Sequence, residues 1–184
     1  MEAFFRLAVE RGIDSTSTRA VAEEASVSEL TLFRHFGDKA TLVRAAIRHA
    51  APTEQLRAYD PAIDASAPES AAADLGRCLR FLRDEAVRRQ DLFHLALSEA
   101  RRHPELQDEL IVGPRQAVEV LGRALQQAAP QLRPEVDVGA AVISLQGLLL
   151  VTVLWTLHGW MQLQPAEWDE LLESAVRMLV RSPD

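Results

Sequence analysis

Cysteine is almost missing from this 184-residue chain: Cys78 stands alone, so no intramolecular disulfide can form. Tyrosine also occurs once, glycine only eight times, and aromatic residues make up 5% of the sequence. These shortages disfavour a sandwich or barrel, whose strands draw on aromatic and β-branched residues. The N-terminus lacks the basic segment, apolar run and cleavage site of a secretory signal, and with the missing disulfides this predicts a cytoplasmic location. Zinc-ligand spacing, an HExxH pair, a Gly-rich phosphate loop and a nucleophile elbow are all lacking, so no metal, cofactor or catalysis is expected. His94 and His103 are nine residues apart, and the Arg101-Arg102-His103 run reads as a solvated helix end.

What is abundant is Ala, Leu, Arg and Glu, in a chain that is 48% apolar and 26% charged. That mixture suits a soluble helical protein. The net charge of −7 is unevenly spread: residues 1–50 carry seven basic and seven acidic side chains, residues 51–184 thirteen and twenty. A neutral head with clustered Arg and His can still attract phosphate, because binding follows the local field rather than the total charge. The acidic remainder would be repelled by nucleic acid.

Helical periodicity dominates. The spacing predicts helices over about 1–11, closed by Gly12, then 17–25, 28–36 closed by Gly37, and 38–50, begun by Asp38 and ended or kinked by Pro52. Three prolines in 52–68 (Pro52, Pro61, Pro68) mark a hinge or loop. Leu75, Cys78, Leu79, Leu82 and Ala86 then form the apolar stripe of a helix over about 69–90, in which Cys78 reads as a small core residue. Further helices are expected over about 91–102, after Pro104, after Pro114 to Ala128, over 135–162 opened by Pro134, and over 166–181 opened by Pro165. The fold class is therefore all-α: a head of short helices over 1–50, and a larger helical domain over 51–184.

The informative stretch is Gly12 to Leu42. Two short helices meet at a tight turn, Ala25-Ser26-Val27, with Val21, Ala25, Val27 and Leu32 expected inside and small Ala22 at the crossing. This is the minimal core of a helix-turn-helix. Position 26 calls for a left-handed backbone that Gly adopts freely and Ser tolerates. The next helix offers Ser28, Glu29, Leu30, Thr31, Arg34 and His35, groups that can meet phosphates or base edges. Lys39 follows at the start of another helix, whose free N–H groups favour anions. On spacing alone, a small helical bundle with a solvated polar face fits as well.

The same residues resemble the N-terminal domain of the TetR family of transcriptional regulators: Gly12, Thr16-Ser17-Thr18, Val21-Ala22-Glu23-Glu24, Ala25-Ser26-Val27-Ser28, Thr31-Leu32-Phe33-Arg34-His35-Phe36, Lys39 and Leu42. The match covers roughly residues 3–47. The resemblance implies phosphate contacts from Ser17, Thr18, Thr31, His35 and Lys39. It implies base readout by Ser28, Glu29 and Leu30, with Arg34 nearby and Phe33 on the same helix. Leu30 could meet a thymine methyl and Glu29 a cytosine amino group. Ser26 stands where the family has Gly, Leu30 where it has a small residue, and Phe33 where it has a Tyr that reaches phosphate. These departures leave a second reading open, a helical interaction protein of the same fold with weakened or lost DNA binding.

No charged side chain occurs from Val138 to Ala166. A membrane span has that length, but Ser144, Gln146, Thr152, Thr156 and His158 interrupt it and no Lys/Arg cluster flanks it, so no membrane is expected. The resemblance implies instead that the helices over 135–162 and 166–181 pair with those of a second copy, placing two heads on palindromic operator DNA. Trp155, Trp160 and Trp168 are candidate anchors. A small, largely apolar effector is expected among the helices of 69–162, against Phe81, Phe93, His94, Trp155 and His158. The expected function is a ligand-released repressor.

Overall fold

Apolar periodicity and side-chain caps at helix starts account for most of the architecture. The computed structural model describes residues 1–51 and 53–182; it is all-α, and no strand occurs among the described residues. The helices are α1 (Glu2–Arg11), α2 (Thr18–Glu24), α3 (Glu29–Phe36), α4 (Lys39–Ala50), α5 (Thr53–Ala58), α6 (Pro68–Arg88), α7 (Gln90–Glu99), α8 (Gln107–Leu110), α9 (Val112–Ala128), α10 (Val138–Leu157) and α11 (Pro165–Leu179). Pro52, expected to end or kink the fourth helix, lies outside the described residues.

Two compact units form: Met1–Pro52 with Arg89–Gly113, and Thr53–Arg88 with Pro114–Asp184. The boundary expected between residues 50 and 51 is thus only part of the division, because 89–113 packs with the head. The first unit buries Phe4, Leu7, Ile13, Val21, Leu32, Leu42, Val43 and Ile47 together with Leu92, Leu95, Leu106 and Leu110. Four short helices enclose little apolar volume, so the later segment supplies the missing side of this core. Polar links reinforce it: Arg48 donates to the buried Glu109 at 2.8 Å, and Arg89 to the Ala50 carbonyl at 3.2 Å.

Gly12 ends α1 at φ 83° and ψ 162°, a region reached essentially by glycine alone. A Cβ there would lie 3.1 Å from Oε1 of Glu99, itself buried. His103, expected in a solvated helix end, is instead half-buried among carboxylates. Its Nε2 lies 3.4 Å from both Asp14 and Glu99, and its Nδ1 3.1 Å from Glu105. Neither Nε2 nor Glu99 Oε2 makes a hydrogen bond, so the two lie close without alignment.

The second unit packs α6, α9, α10 and α11 around Leu75, Leu79, Leu82, Val120, Leu121, Leu125, Leu145, Leu149 and Leu172. Cys78 is fully buried in it, as its spacing predicts, and burial pushes the thiol up to about 11. Tyr59 stacks on Phe81 with ring centroids 3.8 Å apart. Arg83 donates to Asp84 and Asp169, each at 2.8 Å.

Three boundaries differ from expectation. The proline-bearing stretch after residue 52 contains α5, held by the buried Leu56. Pro134 does not open α10; Asp137 does, its carboxylate accepting the Ala140 N–H at 2.7 Å. The same helix stops at Leu157 rather than 162, and Gly159 takes φ 69° just beyond it. At 20 residues with a mean hydropathy of 2.1, α10 is long and apolar enough to cross a membrane. One face nevertheless packs into the core through Ala141, Val142, Leu145, Leu149 and Val153.

Candidate nucleic-acid interface

Three successive helices of the head start on a side-chain oxygen. Ser17 Oγ accepts the Ala20 N–H at 3.1 Å, Ser28 Oγ the Thr31 N–H at 3.1 Å, and Asp38 Oδ1 the Thr41 N–H at 2.7 Å. Each cap satisfies one of the amides that a helix leaves free, and the remainder stay available to an anion. The Thr41 amide also holds the Asp38 carboxyl below the ordinary carboxylate range. Ser28 and Thr31 hydroxyls lie 2.8 Å apart, so one donates to the other and the second proton is free to point outward.

The turn has the backbone that the sequence calls for: Ser26 sits at φ 55°. Its N–H bonds the Glu23 carbonyl at 3.1 Å and that of Val27 bonds Ala22 at 2.9 Å, which fastens the turn to α2. Val21, Ala22 and Leu32 are buried between the helices as expected. Ala25 and Val27 are not; both face outward. The turn is too short to hold a third apolar layer, and the core beneath it is already filled by Phe4, Leu42 and Ile47.

The expected contact residues of this head, Ser17, Thr18, Ser28, Glu29, Leu30, Thr31, Phe33, Arg34, His35 and Lys39, all reach the surface wholly or in part. Leu30 is 70% and Phe33 42% exposed, an apolar ridge spaced by three along α3, and Val27, 43% exposed, lies just before that helix in the turn. No sequence argument requires three apolar side chains in water there, which makes the ridge a contact surface in search of a partner. Thr18 Oγ1 donates to Glu29 at 2.5 Å, tying the start of α2 to the start of α3. Lys39 donates to the Asp14 carbonyl at 3.2 Å, so its ammonium stands beside the loop that leads into α2. Arg19 pairs with Glu23 at 3.0 Å and Arg6 with Glu24, which moves the nearby acidic charge toward partners on the protein.

The five expected effector-lining residues are not gathered in one unit. Phe93 and His94 lie on α7 within the head unit; Phe81, Trp155 and His158 lie in the other. Phe81 is occupied by Tyr59, while Trp155 and His158 are exposed at the end of α10, where His158 stacks near Trp160 at 5.2 Å. Sequence reasoning also missed Glu99 and Glu109, acidic residues held within the head unit. The only advance signal was an acid on the buried side of a helix wheel.

Comparison with known proteins bears on the head most directly. The sequence profile of "Bacterial regulatory proteins, tetR family" matches residues 1–46. An uncharacterized HTH-type transcriptional regulator of Bacillus subtilis, YvkB, is 43% identical over 47 residues, 26% of this chain. That match spans about a quarter of the relative, 25% of its length. The whole chain shares its fold with solved regulators. NalD of Pseudomonas aeruginosa, the secondary repressor of the MexAB-OprM multidrug efflux pump, aligns at 24% identity over 97% of this chain and 93% of its own, with a TM-score of 0.65. The flavonoid-responsive regulator FrrA aligns at 24% identity over 95% and 90%, with a TM-score of 0.68.

Proposed function

We propose that this chain, which carries a TetR-family helix-turn-helix head in residues 1–46, binds palindromic operator DNA as a homodimer, represses transcription, and is released by a small-molecule effector. It would act in the cytoplasm. The observation that carries the reading is the exposed α3, with its apolar ridge beside Arg34, His35 and the capped starts of three helices. A ridge flanked by donors suits a major groove, where methyl groups and base edges lie between two rows of phosphates. Ser17, Thr18, Thr31, His35 and Lys39 would hold the backbone; Ser28, Glu29, Leu30 and Arg34 would face bases. Glu29 must leave Thr18 to reach a cytosine, and a phosphate accepting the Thr18 proton would release it. Phe33 brings apolar area in place of a hydroxyl.

Dimerisation rests on α10. Gly139, Ile143, Gly147, Val151 and Trp155 recur every fourth residue along the side turned away from the core, and Ile143 is 73% exposed. Met178 of α11 is also open, 66% exposed. A stripe of this kind, with glycines allowing close approach, is what a second copy would cover. An effector bound within the second unit then shifts DNA occupancy only as far as it prefers one head spacing over the other. NalD's role as a repressor and the flavonoid response of FrrA support repression and small-molecule control here.

Fluorescence anisotropy with a palindrome from the protein's own promoter region, at two salt concentrations, tests the reading. A regulator binds it in preference to random duplex and loses affinity steeply with salt. Equal binding to both duplexes leaves the interaction-protein reading. Within this assay Lys39→Ala is expected to weaken all sequences alike, with a salt slope shallower by about one per head. A changed sequence preference would remove Lys39 from the phosphate set. Leu30→Ala should alter preference at one base pair per half-site, by about tenfold for a lost methyl contact of roughly 1–2 kcal/mol. An unchanged binding profile would mean that α3 does not lie in the groove as described.

A further inference from the structure

Leu32 is the only buried side chain of α3, and it fixes which side of that helix faces outward. Leu30 and Arg34 stand two residues before and two after it, each about 160° round the helix from it at about 3.6 residues per turn. They therefore share the outward pole as neighbours at a spacing of four. Leu30 is 70% exposed, and Arg34 is exposed as well. The polar groups that flank them at the start of the helix are committed elsewhere: Glu29 accepts from Thr18, and the Ser28 and Thr31 hydroxyls bond each other.

The charge at this pole is unlike the others of the head. Residues 1–50 contain six arginines, and five are engaged within the protein: Arg6 with Glu24, Arg11 with Glu10, Arg19 with Glu23, Arg48 with Glu109, and Arg44 on the Glu105 carbonyl. Arg34 has no hydrogen bond or ion pair among the described residues. Lys39 is also engaged, on the Asp14 carbonyl. A guanidinium is always charged, weakly hydrated, and presents its N–H donors as a planar fork. One turn away, Leu30 holds a branched apolar side chain in water, where the core draws nothing from it. The pole thus pairs one uncommitted donor fork with one apolar cap.

We infer that Leu30 and Arg34 read one dinucleotide step in each half-site, a C5-methylated pyrimidine followed by guanine, so that the head binds TG or 5-methylcytosine–guanine in preference to unmethylated CG. This rests on the operator reading above and deepens it by naming the step. Two donors of the fork match O6 and N7 of guanine, an acceptor pair that no other base shows in the major groove. The thymine C5 methyl projects into the same groove, and 5-methylcytosine carries its methyl at the same place, where Leu30 can cover it. In a right-handed duplex the C5 of a pyrimidine lies beside N7 of the purine that follows it, which sets the order of the step. Four residues rise about 6 Å along α3, and arginine is long enough to reach back toward leucine, onto base pairs about 3.4 Å apart.

The test is fluorescence anisotropy of the full chain on the palindrome from its own promoter region, in synthetic duplexes altered at one TG or CG step at a time. Deoxyuridine in place of thymine removes only the methyl, 7-deazaguanine in place of guanine removes only the N7 acceptor, and 5-methylation of cytosine adds only the methyl. One step per half-site should lose about fivefold on the uracil exchange, or gain as much on methylation where it is CG, and lose about tenfold on the deaza exchange. Leu30→Ala should abolish the methyl response and keep the deaza response; Arg34→Ala should abolish the deaza response. Both side chains stand in water, so both variants keep the fold. Preference for the palindrome over random duplex with no step showing both responses overturns the proposal, as does a methyl response that persists in Leu30→Ala. Uniform weakening in Arg34→Ala with the deaza response retained puts Arg34 on a phosphate and overturns it too. Absence of any preference over random duplex overturns the operator reading itself, and this inference with it.

Discussion

Ile143→Arg is expected to break the proposed homodimer into monomers. The side chain is 73% exposed in the single chain, on the open side of a 20-residue helix with no charged residue. An arginine there costs the isolated fold almost nothing, since its guanidinium stays in water. Covered by a second copy it would be buried without a partner, once from each side. Stranding a charge in this way costs several kcal/mol, so the dimer dissociation constant should rise by a factor of about a hundred or more. Sedimentation velocity across a dilution series reads the change directly, with circular dichroism showing retained helix. Operator affinity should fall in step, because two heads on one palindrome bind as a linked pair and a lone head does not. A variant that stays dimeric at the lowest measurable concentration would move the interface off this side of α10.

Gly12→Ala is expected to cost the head unit about 2 kcal/mol. The backbone at this position lies where only glycine is at ease, a strain of about 1–3 kcal/mol for any other residue. The added Cβ would also press on Oε1 of Glu99 at 3.1 Å, and Glu99 is fixed beside His103. In a chain of this length the unfolding midpoint should drop by about 4–8 °C. Hydrogen exchange should locate the loss in α1, α2 and the loop between them. If the midpoint does not move, the loop relaxes freely and Gly12 is merely a convenient end to α1.

The head was the most legible part of the sequence because its determinants are local. Ser17, Ser28 and Asp38 cap helices within three residues, and a left-handed Ser26 follows from the length of the turn. Cys78 betrayed its burial by its place between Leu75 and Leu82. What stayed hidden depends on partners far along the chain. That Leu92, Leu95, Leu106 and Leu110 complete the head's core is a matter of long-range packing, and a helical stripe does not name what it packs against. Val27 was misjudged for the same reason: an apolar residue next to a turn points inward only if room is left for it. Aromatic character does not single out effector-lining residues, because cavities and cores share it.

The late segment that closes the head's core bears on how such proteins can be recombined. A chimaera made by cutting after the fourth helix and splicing the first fifty residues onto another body would carry Leu7, Ile47 and Val43 without Leu92, Leu95 and Leu106. On the operator-binding proposal, retargeting this protein to a new promoter calls for a transplant of two pieces, or for changes confined to the outward side chains of α3. Natural variation in specificity faces the same constraint: the reading surface can drift residue by residue, whereas the seam beneath it must change in concert.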